Sequence, residues 1–175
     1  MANREALRDL QARLASRMQT AKAEGLSISW LAVRVGGGDY LLPLAQSGEI
    51  FPLPTLQPVP YSQSWFMGVV NLRGGLYGVV DLAAFIAGQA PARTEQYWAE
   101  ASVVTLNAAL DINCALLIDS LAGLRHVGAF SGSEPPPDGA PPYFGNRYVD
   151  ADGRRWQEIN LQQLSQMSEF LSISA

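Results

Sequence analysis

The sequence predicts a mainly β protein, a barrel or a sandwich, preceded by one helix. From residue 27 onward the apolar segments are short and rich in β-branched and aromatic residues. Glycine- and proline-rich turns separate these segments at frequent intervals. Hydrophobic residues make up 48% of the 175-residue chain, enough to fill the core of one moderate domain or of two small lobes.

The first segment, from Arg4 to Glu24, is predicted to be a helix that ends at Gly25. Its large apolar side chains recur at three- and four-residue steps, which places them on one face of a helix. These residues are Leu7, Leu10, Leu14, Met18 and Ala21. Two roles fit such a face: packing on the protein's own body, or docking on a partner.

The next segments predict a hairpin and an extended connector. Ile28–Val35 and Tyr40–Leu44 have strand composition and flank a glycine-rich turn. The stretch 51–60 contains four prolines, which remove amide donors and hold the chain extended. We expect it to lie over the surface as a connector, although a ligand for a proline-binding module has the same composition.

The middle of the chain predicts a second hairpin followed by a short helix. Gly68–Leu72 and Leu76–Val80 flank another glycine turn. Asp81 is placed to cap a helix over 82–87, and Gly88 is placed to end it.

The C-terminal half predicts five further strands and a final helix. A polar linker comes first, and a proline-rich loop covers residues 134–142. The predicted strands are Ser102–Leu106, Asn113–Ile118, Leu121–Val127, and a hairpin of Tyr143–Val149 with Arg154–Ile159. The final helix covers Leu161–Phe170, with Leu161, Leu164 and either Met167 or Ser168 facing inward.

Charge and composition disfavour several classes of function. The chain has 12 Lys and Arg against 16 Asp and Glu, and it shows no basic face for nucleic acid or anionic membrane. Its apolar runs are shorter than the roughly 18–20 residues that a membrane span needs. The charged N-terminus lacks the apolar core of a signal peptide. We therefore expect a cytoplasmic protein without direct membrane insertion.

The residues that enzymes need are scarce. His126 is the only histidine and Cys114 the only cysteine, so a zinc site lacks ligands. A nucleophile–base pair would have to use these two residues, and nothing in the sequence places them together. We expect a non-catalytic protein without a cofactor; a small enzyme using His126 or Cys114 is the minor alternative.

One stretch carries a specific resemblance. Residues 65–82 read WFMGVVNLRGGLYGVVDL, which resembles the segment G-V-x-N-L-R-G-x-x-x-P-V-x-D-L of the CheW domain family. The matching positions are Gly68, Val69, Asn71, Leu72, Arg73, Gly74, Val79, Asp81 and Leu82.

Neighbouring segments extend this resemblance from about Ser27 to Phe170. Those that align are Tyr40–Ile50, Cys114–Leu121 and Glu158–Leu161. Three positions depart from the family pattern: Ser47 replaces an aliphatic residue, Gly78 a proline and Ala115 a glycine. We divide the chain into an N-terminal amphipathic helix (1–25), a CheW-like domain (26–171) and a tail (172–175). The added helix resembles the adaptors of pilus-linked chemosensory systems.

The resemblance implies a fold of two SH3-like five-stranded barrels packed together. It also implies a signalling adaptor that links chemoreceptors to a CheA-type histidine kinase. Such a protein binds the regulatory domain of the kinase and the cytoplasmic tip of a receptor, and it joins membrane receptor arrays through these partners. The alternative is a CheW-like module with a non-kinase partner.

The candidate partner-binding residues implied by the resemblance are Arg73, Glu49, Ile50, Val70 and Asn71. Arg73 is expected at an exposed turn, bonded to a partner or to Glu49; the alternative is an internal pair with Asp81 that fixes the turn. Asn71 also suits the turn itself, because asparagine tolerates left-handed backbone. Asp81 and Asp119 are expected to be structural.

Overall fold

A computed structural model describes residues 2–23 and 29–175. Its strands are β1 (Ser29–Val35), β2 (Gly38–Pro43), β3 (Ser47–Pro52), β4 (Phe66–Leu72), β5 (Gly75–Asp81), β6 (Ser102–Leu106), β7 (Cys114–Ile118), β8 (Ser120–His126), β9 (Phe130–Glu134), β10 (Phe144–Asp150) and β11 (Arg155–Ile159). Its α-helices are α1 (Ala2–Ala23), α2 (Leu82–Ala87), α3 (Glu95–Glu100), α4 (Leu161–Gln166) and α5 (Ser168–Leu171). Three single-turn 3-10 helices cover Leu44–Gln46, Ala108–Leu110 and Val127–Ala129.

The strands form two sheets. One has six strands in the order β8-β1-β2-β11-β10-β9, and the other has five in the order β3-β6-β7-β5-β4. The chain leaves the first sheet after β2 and returns to it at β8. Most neighbours are antiparallel, but β11 runs parallel to β2 and β5 runs parallel to β7. The expected class is confirmed: the protein is mainly β, its two sheets pack together, and it has an N-terminal helix and short C-terminal helices. Two five-stranded units were expected, and one of the two sheets has a sixth strand.

Strands at the centre of each sheet are buried on both faces, and their alternate residues enter different cores. In β7, Leu116 and Ile118 join a large cluster containing strands of both sheets, whereas Ala115 and Leu117 join a smaller cluster of the five-stranded sheet. The six-stranded sheet has its own aromatic cluster, which includes Trp30 and Trp156. This division follows from the two-residue period of a strand. The large cluster is therefore the seam that joins the two sheets.

Local signals located several elements correctly. The predicted first hairpin is present, with its turn at Gly36–Gly37. Helix α2 begins after Asp81, whose carboxylate accepts a hydrogen bond from the amide of Ala84 at 3.3 Å. It ends at Gly88, which has a φ of 80°. Both ends thus depend on residues that act through the nearby backbone.

Other elements differ from the prediction. The polar linker contains α3, and Phe130–Glu134 forms β9, the sixth strand of the larger sheet. Strand β3 extends through Phe51 and Pro52, so the connector begins at Leu53. The predicted final helix is broken at Met167, which separates α4 from α5.

Helix α1 packs on the protein's own body. It is rotated about its axis relative to the orientation that the apolar pattern predicts. Leu14 and Met18 are buried in the central cluster, and Gln11 is also buried. The amide of Gln11 donates to the hydroxyl of Ser102. Leu10 is 48% exposed because the helix turns Gln11 toward the body. The side chain of Ala21 and the predicted stop at Gly25 lie outside the described residues.

A prediction follows for Gly68 in β4. Its φ is 130°, and an added Cβ would lie 2.3 Å from the carbonyl oxygen of Gln57. That oxygen accepts a backbone bond from Val69, so the connector cannot easily move away. We expect Gly68→Ala to lower the free energy of unfolding in urea by about 1–3 kcal/mol. Gly132→Ala, with nothing within 4 Å of the added Cβ, is the matched control and should change it by less than about 0.5 kcal/mol.

Candidate partner-binding surface

The turn between β4 and β5 presents an arginine in a left-handed conformation. Arg73 has a φ of 50° and Gly74 a φ of 80°, as in the two-residue turns that suit hairpins. The side-chain oxygen of Asn71 accepts a hydrogen bond from the amide of Gly74 at 3.0 Å. Asn71 therefore holds the turn, one of the two roles considered for it.

The Arg73 side chain lies on the surface beside β3. Its Nε is 3.0 Å from a carboxylate oxygen of Glu49, and its guanidinium lies 5.9 Å from the ring centroid of Phe51. The side chain is 74% exposed. Because the contact with Glu49 is made at Nε and the side chain is exposed, the rest of the guanidinium can form further hydrogen bonds. As an exposed ion pair, the contact contributes only about 0–1 kcal/mol to stability. We call Glu49, Phe51, Asn71 and Arg73 the Arg73 surface.

The backbone of β3 places Glu49 on this surface. The pairing of β3 with β6 shifts register between Ser47 and Ile50. Within this irregularity the amide of Glu49 donates to the hydroxyl of Thr105 at 2.8 Å. A Cβ at Gly48 would lie 2.2 Å from the same hydroxyl, so a glycine is needed for this close approach.

Two of the five candidate residues lie beneath the surface. Ile50 is buried in the central cluster and Val70 in the smaller cluster of its own sheet. In this conformation they position β3 and β4, and little of either side chain is exposed. Direct contact remains a prediction for Arg73, Glu49 and Asn71.

Two depressions flank this region. One, of about 420 Å3, is lined by Met18 of α1 and by Glu49, Ile50 and Arg73. The other, of about 480 Å3, lies between the connector and the hairpin of β4 and β5. Its lining includes Leu56 and Leu76, and Leu76 is 62% exposed. The surface thus combines a charged turn with an apolar groove along the edge strand β4.

The internal pair proposed as an alternative, Arg73 with Asp81, does not form. Asp81 instead accepts two hydrogen bonds from Arg93, one of them 2.8 Å long. Their side chains are only 3% and 6% exposed. The sequence prediction missed Arg93 because it lies in a polar linker that carries no signal for a buried charge.

A short network extends from this pair to the other sheet. The Arg93 guanidinium lies 4.7 Å from the ring centroid of Tyr97, whose hydroxyl donates to Asp119 at 3.0 Å. The second carboxylate oxygen of Asp119 accepts from the amide of Gly36 at 2.8 Å. Burial and the neighbouring Asp119 charge raise the pKa of Tyr97. Asp81 and Asp119 therefore have the structural positions expected of them, and the network ties α3 to both sheets.

The three departures from the family pattern are accommodated by local contacts. The Ser47 hydroxyl is buried and donates to the carbonyl of Pro43 at 2.8 Å. The Gly78 amide donates to the carbonyl of Asn113 at 3.0 Å, a bond that proline cannot make. Ala115 is fully buried in the smaller cluster of its sheet.

Cys114 and His126 lie in different sheets. Burial raises the pKa of the Cys114 thiol to about 12. The exposed His126 accepts a hydrogen bond at Nδ1 from the amide of Gly128 at 3.1 Å. Within residues 2–23 and 29–175, no three His, Cys, Asp or Glu side chains are grouped so as to hold a metal ion. In the same part of the chain, no helix has the length and apolar character to span a bilayer.

Comparison with known proteins agrees with this fold. The sequence profile described as CheW-like domain matches residues 29–169. Protein PilI of Pseudomonas aeruginosa is 27% identical over 165 residues, covering 93% of this chain and 89% of that protein. The crystal structure of the scaffolding protein TtCheW from Thermoanaerobacter tengcongensis superposes with a TM-score of 0.62 at 16% identity, covering 75% of this chain and 88% of TtCheW. The match over most of its length makes this chain a member of the CheW-like domain family.

Proposed function

We propose that the protein is a non-catalytic adaptor that couples chemoreceptors to a CheA-type histidine kinase in a pilus-linked chemosensory pathway. It would bind the regulatory domain of the kinase and the cytoplasmic tip of a receptor. It would reside in the cytoplasm and reach membrane receptor arrays through these partners. A scaffold of this kind raises the effective concentration of one partner near the other.

The exposed Arg73 carries the proposal. A non-glycine residue at a positive φ is uncommon and costs stability, unless its neighbours over-determine it. Arg73 adopts a φ of 50°, yet its side chain is 74% exposed and makes only surface contacts with Glu49 and Phe51 among the described residues. Its side chain would make its strongest interactions with a partner, because a planar guanidinium forms paired hydrogen bonds to carboxylates.

The apolar groove beside β4 supplies the second element of a docking surface. Interfaces join a buried apolar centre to a polar rim, and arginine is enriched in them. Leu56 and Leu76 line the groove, and Asn71 lies both in its lining and in the Arg73 turn. This arrangement fits the apolar contact expected with the regulatory domain of the kinase, which is itself CheW-like.

The test is a titration of the full chain against the purified regulatory domain of the CheA-type kinase from the same organism. We expect saturable binding with a stoichiometry of about one to one. Leu76→Asp should weaken binding about tenfold or more, because it places a charge in the apolar groove. Leu171→Asp is the matched control, because Leu171 in α5 is also an exposed leucine, at 53% against 62% for Leu76. A well-folded sample that binds no such kinase would leave a CheW-like module with a non-kinase partner.

A further inference from the structure

Helix α1 lies on the strand that carries two of the candidate binding residues. It contacts β3, β8 and the 3-10 turn at Leu44–Gln46. The depression beside Arg73 has one wall from α1, with Met18, and another from β3, with Glu49 and Ile50. The helix therefore covers Ile50 and borders the Arg73 surface.

The helix packs into a groove on the body with the residues of one face. Gln11, Leu14 and Met18 follow one another at three- and four-residue steps, and all three are buried. Leu14 and Met18 enter the same cluster as Leu44 and Ile50. Any amphipathic helix with this spacing presents the same row, so the groove beneath α1 has the form of a helix-binding site.

Part of the interface between α1 and the body is open. A cleft of about 240 Å3 separates its N-terminal half, with Leu7 and Arg8, from Leu53 and Trp98 on the body. The interface also includes the polar pair of Gln11 and Ser102, which water can satisfy when the helix leaves. The matched family domain begins at residue 29, so α1 is an addition to that domain.

We propose that α1 is a removable cover that occupies, within the same chain, the groove for one amphipathic helix of a receptor tip. In the covered state Ile50 and the wall of the Arg73 depression are closed to the receptor. Release of α1 opens a groove lined by Leu44 and Ile50, into which the receptor helix places its own apolar row. This proposal rests on the adaptor function and gives that function a regulatory step.

The test uses the full chain and attaches α1 reversibly to the body of the protein. Gln11→Cys combined with Ser102→Cys places two thiols at facing positions of α1 and β6. A cysteine is shorter than the glutamine that it replaces, so a short bis-methanethiosulfonate reagent bridges the two thiols through disulfides in the oxidised form, and a reductant removes the bridge. Cys114 does not compete, because it is buried and its thiol has a pKa of about 12. The same sample is then titrated, oxidised and reduced, with a soluble fragment containing the hairpin tip of a receptor from the same organism. The Gln11→Cys single variant controls for the redox conditions.

The proposal expects the oxidised form to bind the receptor fragment about tenfold or more weakly than the reduced form. Equal binding by both forms, with the bridge confirmed by mass spectrometry, would overturn the cover and leave the adaptor function intact. Tighter binding by the oxidised form would make α1 part of the receptor site and would also overturn it. Binding by neither form, nor by the unmodified chain, would count against the adaptor function itself.

A second measurement needs no partner. Hydrogen exchange on the unmodified chain should show the amides of α1 exchanging through local opening, well before those of the buried strand β7. Amides of β3 beneath the helix should become more protected in the oxidised double variant. Protection of α1 equal to that of β7 would contradict the proposal, because the helix would then open only when the whole protein unfolds.

Discussion

Replacing Arg93 by alanine should lower the free energy of unfolding by about 3–5 kcal/mol, one of the largest losses for any charged residue in the described part of the chain. The change leaves the carboxylate of Asp81 buried without its cation. It also removes a guanidinium that lies 4.7 Å from the ring centroid of Tyr97 and 5.4 Å from that of Trp98. Urea unfolding followed by tryptophan fluorescence measures the loss.

Two controls separate the unpaired charge from the lost packing. Arg34→Ala breaks an exposed pair with Asp39 and should cost less than about 1 kcal/mol. Arg93→Met combined with Asp81→Asn removes both charges while keeping a side-chain oxygen to cap α2. This double variant should regain most of the lost stability. If it is as unstable as Arg93→Ala, the pair contributes mainly through packing and the electrostatic account is wrong.

The second large effect is on binding. Arg73→Glu should weaken the complex with the kinase regulatory domain or with the receptor tip about 30-fold, corresponding to about 2 kcal/mol. It reverses the charge at the most exposed point of the Arg73 surface and places it beside Glu49. Isothermal titration with each purified partner measures the change and identifies which partner the residue contacts.

Arg73→Glu should change the stability of the fold very little. The Arg73 pair is exposed, so the free energy of unfolding in urea should stay within about 1 kcal/mol of that of the unmodified protein. Arg155→Glu, which reverses the charge in an exposed pair with Glu134 on the six-stranded sheet, is a matched control away from the Arg73 surface. If Arg73→Glu unfolds the protein, Arg73 is needed to form the turn. If the variant binds both partners normally, Arg73 does not belong to the binding site.

The parts of the fold that were predictable from sequence depend on local chemistry. Asp81 and Gly88 mark the ends of α2 because each acts on backbone within a few residues. The first hairpin follows from its glycine turn for the same reason. The ion pair of Arg73 with Glu49 was expected as one of two partners, from a family resemblance and not from spacing.

The parts that were missed depend on distant contacts. Strand β9 has the sequence FSGSE, which is poor in β-branched residues, and it becomes a strand by pairing with β10. Gln11 replaces Leu10 on the buried face of α1 because Ser102, far along the chain, offers its hydroxyl. Arg93 is buried because Asp81 already lies inside. No local pattern encodes these three outcomes.

The most direct test of the adaptor function is whether this chain carries the kinase to the receptor. Membranes containing a receptor from the same organism are mixed with the full-length kinase, with and without this protein, and sedimented. The account predicts that the kinase sediments only when the protein is present, and that Arg73→Glu reduces the amount recovered. Equal sedimentation of the kinase with and without the protein, from components shown to be folded, would contradict it.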